Sequence, residues 1–281
     1  MSLTIENNIL MKNGKPFFYL ADTCWSAFTN IKDNDWDYYL DYRKSQGFNT
    51  LQINILPQWD ASATDLCYEP FEVIDGKYNY KKLNLSYFEH ADKMCARAKE
   101  KGFELALVIM WCNFVPDTWA SQFYSKGIMP IDCIDNYINI IHETFTKYEP
   151  LYIISGDTDF NTEQCIEYYV KCAKQIKELA PNCLYTTHIK GRYTYIPDNL
   201  YSYLDLCFYQ SGHNAQNLGM PYLLAEEMAD KYKGKPVINS EPCYEDMGYS
   251  RQMYGRWSKE DIIRAAWMSL LSGASAGITY G

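Results

Sequence analysis

Eight apolar runs of strand length recur along this chain, at 17–21, 51–56, 105–110, 152–154, 184–189, 206–209, 237–239 and 276–280. Near-continuous apolar runs of this length suit strands buried on both faces of a parallel sheet. Helical stripes lie between most of them. Ile134, Tyr137, Ile138, Ile141 and Phe145 form the clearest, and Ile262, Ile263, Ala266 and Leu270 the last. Each keeps the i, i+3, i+4 spacing of a helix with one buried face. Ser258 to Asp261 reads as a capping start for the last helix. The pattern is weak between the fifth and sixth runs, where a short helix or a loop is expected.

Eight strands with intervening helices predict an α/β fold, a closed (β/α)8 TIM barrel. The 281 residues fit one such domain, which takes about 250 residues. A doubly wound sheet is the alternative, but it would open on a glycine-rich first turn. Asp22-Thr23-Cys24-Trp25 stands there instead. Ahead of the first strand, Asn13-Gly14 predicts the turn of an N-terminal hairpin at about 7–20. The last run stops at Tyr280-Gly281 with no eighth helix after it. The expectation is a fragment of a longer protein, lacking its last helix and a C-terminal domain, rather than a barrel that closes without that helix.

The connections point to one face. Helix-to-strand links such as Gln46-Gly47-Phe48-Asn49 and Lys101-Gly102-Phe103 are short. Three strand-to-helix links, at 57–84, 111–130 and 242–258, are long. Long loops on one side place a site at the C-terminal ends of the strands.

Charge and composition narrow the partners. A net charge of -9 argues against nucleic acid or an acidic membrane surface as the main partner. No apolar run reaches the roughly 18 residues of a membrane-spanning helix. Ten cysteines in a chain this long, without a Cys-x-x-Cys, read as reduced and buried rather than as a disulfide framework. Met1-Ser2-Leu3 is not a charged and apolar leader. A removed signal peptide would make the protein periplasmic or extracellular; otherwise it is cytoplasmic.

The strand ends offer a consistent chemistry. The first gives Asp22 and Trp25, the second Gln52 and Asn54, and the third Trp111 and Asn113. Asp157 ends the fourth and His188 the fifth. Tyr209 and Gln210 end the sixth, Glu241 the seventh and Tyr280 the eighth. Tyr244 and Glu245 follow Glu241 in a polar and aromatic loop that also carries Arg251, Arg256 and Trp257. Sugars need hydrogen-bond partners for their hydroxyls and aromatic platforms for their C–H faces. Cleaving a glycoside needs two carboxyls, one to protonate the leaving oxygen and one to attack or to activate water. Asp157 and Glu241, at strand ends facing each other across a barrel mouth, are the candidate pair.

Structural readings compete with these. Asp157 could cap the following helix, and Glu241 could pair with Arg251 or Arg256. Asp22 is more often a structural residue or a ligand of a substrate hydroxyl than a catalyst, and His188 could be a core histidine. Trp25, Trp111 and Trp257 could be core, while Trp36 and Trp267, on helices, are expected to be. His90 and His142 are also expected to be structural. No Gly-x-Ser-x-Gly elbow or phosphate-binding Gly-x-x-x-x-Gly-Lys loop is present. No metal or other cofactor is expected. A metal held by Asp22, His188 and Asp157 would mark a hydrolase of another bond class.

Residues 14–25, with Tyr39, Leu40, Arg43 and the run Gln46-Gly47-Phe48-Asn49, resemble the opening of the apiosidase-like glycoside hydrolases. Ser155-Gly156-Asp157 is similar to that family's Gly-Gly-Asp ending of strand four, with Ser155 in place of the first glycine. Glu241-Pro242 with Tyr244-Glu245 resembles its strand-seven motif. The resemblance implies a (β/α)8 barrel and a retaining mechanism with Asp157 as general acid/base and Glu241 as nucleophile. It implies a carbohydrate substrate, a plant or microbial polysaccharide such as apiose-containing pectin. The alternative is a non-catalytic carbohydrate-binding barrel or degenerate enzyme.

Overall fold

The computed structural model describes residues 3–59, 68–250 and 254–281. Arg251 lies outside the described residues. In chain order the elements are β1 (Leu3–Glu6), β2 (Ile9–Lys12), β3 (Lys15–Pro16), β4 (Tyr19–Thr23), α1 (Ala27–Asn30), α2 (Asp33–Ser45), β5 (Thr50–Asn54), β6 (Phe71–Ile74), β7 (Lys77–Leu83) and α3 (Leu85–Glu100). Then come β8 (Glu104–Trp111), α4 (Ile134–Phe145), β9 (Leu151–Gly156), α5 (Glu163–Leu179), β10 (Leu184–Thr186) and α6 (Asp198–Tyr201). The chain finishes with β11 (Cys207–Tyr209), α7 (Met220–Lys231), β12 (Val237–Asn239), α8 (Lys259–Leu271) and β13 (Gly277–Tyr280).

Eight parallel strands form one sheet in the order β10-β9-β8-β5-β4-β13-β12-β11. The barrel is nearly closed. At the seam, β10 and β11 form no ladder, but the Asp205 N–H donates to Tyr185 O at 2.8 Å and Thr186 Oγ1 donates to Leu206 O at 2.9 Å. The short α6 fills the crossover whose sequence pattern was weak. The first strand starts at Tyr19, two residues later than its apolar run, and Phe18 is left exposed.

The N-terminal hairpin is a three-stranded antiparallel sheet, β1-β2-β3. Asn13 and Gly14 turn with φ of +55° and +70°, as that pair allows. Asn7 and Asn8 make a second turn of the same hand, at +50° and +64°. Lys12 ties this sheet to the barrel through Glu104 at the start of β8, 2.5 Å away. A second hairpin, β6-β7, stands inside the long link after β5, turning at Asp75-Gly76.

Helix α8 begins with the expected capping box, Ser258 and Asp261 exchanging side-chain and backbone bonds. Its buried face is Ile262, Ala265 and Ser269. Trp267, expected in the core, is instead 59% exposed, beside the exposed Ile263 and Leu271. These three sit four residues apart on the outward side, so tryptophan on a helix did not by itself imply burial. Trp36, by contrast, is buried and donates from Nε1 to Met94 O at 3.0 Å. The described cysteines are free, and all but Cys24 are buried.

Gly277 lies where β13 pairs with β4. A Cβ there would fall inside contact distance of Tyr19 O and Cβ. Gly277→Ala should therefore cost about 1–3 kcal/mol, the usual range for overpacking. A thermal melt of the variant would show it; an unshifted midpoint would mean the two strands can separate without penalty.

Candidate active site

Glu241 lies two residues after β12 and is buried, 7% exposed. Two imidazoles hold it. His213 Nε2 donates to Glu241 Oε1 at 2.9 Å. His188 Nε2 lies 2.9 Å from Oε2. Burial alone would raise the carboxyl's pKa, but the bonds and charges of His188 and His213 outweigh it and hold the group far below the usual carboxylate range. Among the described residues no arginine pairs with Glu241: Arg256 donates to Asp246 O instead.

The supports of this clasp reach into the barrel. His188 Nδ1 meets Ser240 Oγ at 2.8 Å. Gln52 accepts from the Tyr19 hydroxyl at 2.9 Å and donates to Ser240 O at 3.0 Å, inside the barrel. Gln52 was expected at the mouth. Its strand position instead turns it inward, where both ends of its amide have partners. It positions the residue before Glu241.

Aromatic rings pack around the clasp. His188 stacks on Trp111 at 5.5 Å and lies 5.4 Å from Trp25. Trp25 Nε1 donates to the Tyr244 hydroxyl at 2.9 Å, and the Tyr244 ring packs 4.5 Å from His213. Burial, and then the Glu241 charge, push the Tyr244 hydroxyl well above its ordinary pKa, so it stays protonated. Trp257 is buried apart from these rings, in a small cluster with Cys243 and Ile262.

Asp157 follows β9, half-buried, with φ at +51°. It is not a helix cap, since Thr162 caps α5. Its main-chain oxygen accepts from Trp119 Nε1 at 2.8 Å. Its charge, with that of Asp159, adds to burial in raising the thiol pKa of Cys112, the residue after Trp111. The preceding Gly156 has Trp111 against it, and a Cβ there would enter the indole ring. The His188 N–H donates to Ser155 O at 3.1 Å, tying the Asp157 strand end to that of His188.

Other expected residues divide into two groups. Asn113 is fully buried with neither amide atom bonded, and Asn54 Oδ1, Trp111 Nε1 and Gln210 Oε1 are also buried and unbonded. Asp22, Tyr209, Glu245 and Tyr280 are committed to the fold instead. Asp22 is bonded by Tyr39 and by Arg43 Nε of α2, and Tyr209 donates to Pro221 O at 2.9 Å. Tyr280 donates to Glu245 Oε2 at 2.9 Å, with the Arg43 guanidinium 5.2 Å from its ring. Strand alternation turns Asp22, Tyr209 and Tyr280 outward, toward helices. Among the described residues no group of three or more His, Cys, Asp or Glu could hold a metal ion.

Sequence reasoning did not single out His213 or Trp119. His213 lies three residues after Gln210 in the loop following β11, and Trp119 lies in the long loop after β8. Their only sequence signal was membership of links on the site face.

Removing one imidazole tests the clasp. A carboxyl with a depressed folded pKa contributes stability that is present above its ordinary value, 4.5 here, and is lost as pH falls through the folded value. His213→Ala should cost about 1.5–3 kcal/mol at neutral pH, the range for a hydrogen bond to a charged group. It should also make the loss of stability below about pH 4.5 shallower than in the wild type. Urea midpoints between pH 3 and pH 7 would check this; a constant offset at every pH would mean His213 does not set the Glu241 charge.

The comparisons agree with this architecture. The model of the apiosidase-like catalytic domain matches residues 5–281. A glycoside hydrolase family 5 structure from Bacteroides vulgatus is similar at 25% identity and a TM-score of 0.82, covering 100% of this chain and 62% of that one. A second structure, described as a glycoside hydrolase, has 25% identity and a TM-score of 0.80, covering 100% and 64%. A hyperthermostable endo-1,4-β-D-mannanase from Thermotoga petrophila shares the fold at 17% identity and a TM-score of 0.61, covering 94% and 88%. The chain thus spans less than two thirds of the first two structures. No curated protein sequence matches it. With the family model covering nearly its whole length, the chain belongs to the apiosidase-like catalytic-domain family.

Proposed function

We propose that this protein is a retaining glycoside hydrolase, with Glu241 as nucleophile and Asp157 as general acid/base. One observation carries the reading: a buried, ionised carboxylate held by two imidazoles beside two indole rings. A carboxylate has about four lone-pair sites. His188 and His213 approach one oxygen each, which leaves lone pairs for attack on an anomeric carbon. The same contacts make Glu241 a good leaving group when water later cleaves the glycosyl ester. Asp157 donates the proton to the departing oxygen and takes one from water in the second step. Trp25 and Trp111 supply apolar faces for the sugar ring.

The family's description, apiosidase-like, supports an apiose-containing glycoside as substrate. Mannan, named for a structural neighbour, is the competing polysaccharide.

Glu241→Gln and Asp157→Asn should each lower kcat by about 10²–10⁴ on an active glycoside. The test is turnover on a panel of apiosides, pectic oligosaccharides and mannan oligosaccharides. Proton NMR of the first-formed sugar should show the substrate's anomeric configuration. Inverted product would overturn the retaining mechanism. Undiminished turnover in both variants would remove the catalytic roles.

A further inference from the structure

Trp59, Trp119 and Phe123 form an aromatic cluster that the mechanism leaves unused. Trp59 meets Trp119 edge-on at 5.4 Å and lies 6.4 Å from Phe123. Phe123 is 63% exposed and Trp59 39%. Apolar rings grouped and exposed in this way offer a surface on which a ligand can pack.

The cluster is continuous with the candidate site. Trp59 comes just after β5, next to Gln58, which accepts from Asn54 Nδ2 at 2.9 Å. Trp119 and Phe123 belong to the link after β8, and Trp119 Nε1 is bonded to the Asp157 main-chain oxygen. Beside Trp119 a hollow of about 500 Å³ is lined by Asp117, Ser121, Gln122 and Asn161 among others. Of the three rings Trp119 lines this hollow, and an indole with hydroxyl, amide and carboxylate groups around it is the chemistry that takes a sugar ring. On the same two strand ends, Asn54 Oδ1 and both amide atoms of Asn113 are buried without partners.

We propose that this rim is a second sugar-binding subsite on the leaving-group side, and that the substrate is therefore an oligosaccharide chain rather than a single glycosyl unit. The inference rests on the assignment of Asp157 as the acid. The acid protonates the leaving oxygen, so a surface bonded to that residue's own peptide lies beside the leaving sugar.

The experiment compares wild type with Trp59→Ala, Phe123→Ala, Trp59→Phe and Glu241→Gln. Probes are oligosaccharides from pectin and from β-1,4-mannan, fractionated by length. Affinity is read by calorimetry and turnover by chromatography, with circular dichroism to check folding. Trp59→Ala and Phe123→Ala should each weaken the longer fractions about tenfold more than the shortest. Trp59→Phe should restore most of the loss.

A loss equal at every length, no loss at all, or no binding of either series to wild type would overturn the subsite. The two readings separate. Rim variants matching wild type, with turnover abolished in Glu241→Gln, would leave the hydrolase and remove the subsite. Length-selective losses alongside full turnover in Glu241→Gln would leave the subsite and remove the catalytic assignment.

Discussion

The Glu241 carboxylate is charged and shut away from water, and two imidazoles make that tolerable. An unpaired buried carboxylate would take up a proton instead. Much of the mouth is arranged to hold the pair in place. His188 is fixed by Ser240 and by the Trp25 and Trp111 indoles, which pack against it and against each other. Ser240 is fixed in turn by Gln52, which Tyr19 orients from within the barrel. The buried charge at the barrel mouth is thus connected through hydrogen bonds to the layer of side chains that fills the interior.

A second polar group does the opposite work on the outside of the barrel. Asp22 and Tyr280 stand in register on neighbouring strands. Arg43 from α2 binds the first and packs over the ring of the second. Glu245 reaches back from the loop after Glu241 to the Tyr280 hydroxyl. This set fastens β4, β13, α2 and the loop that carries Tyr244. It shapes the mouth without lining it.

Much of the fold could be read from pattern. Apolar runs alternating with amphipathic stripes specified the strands and helices, because burial on both faces and burial on one face leave different periods. The Asn13-Gly14 turn and the Ser258 cap were legible because they are local backbone chemistry. The hairpin at Asp75-Gly76 carried an equally local signal and was passed over within a long loop. Trp267 shows the limit: residue type suggested burial, but the rotation of α8 on the barrel left the ring in solvent.

Sequence alone determined that Glu241 and Asp157 end strands, since an apolar run followed by a polar residue marks where a parallel strand leaves the sheet. It could not say which neighbours share their surroundings. Gln52 lies in the middle of β5 and points into the interior, and Tyr209 and Tyr280 end strands yet turn toward helices. His213 gained its place beside Glu241 only when two loops from adjacent strands met. Partnership across a barrel mouth is set by closure of the whole sheet, and that closure is a property of all eight strands together.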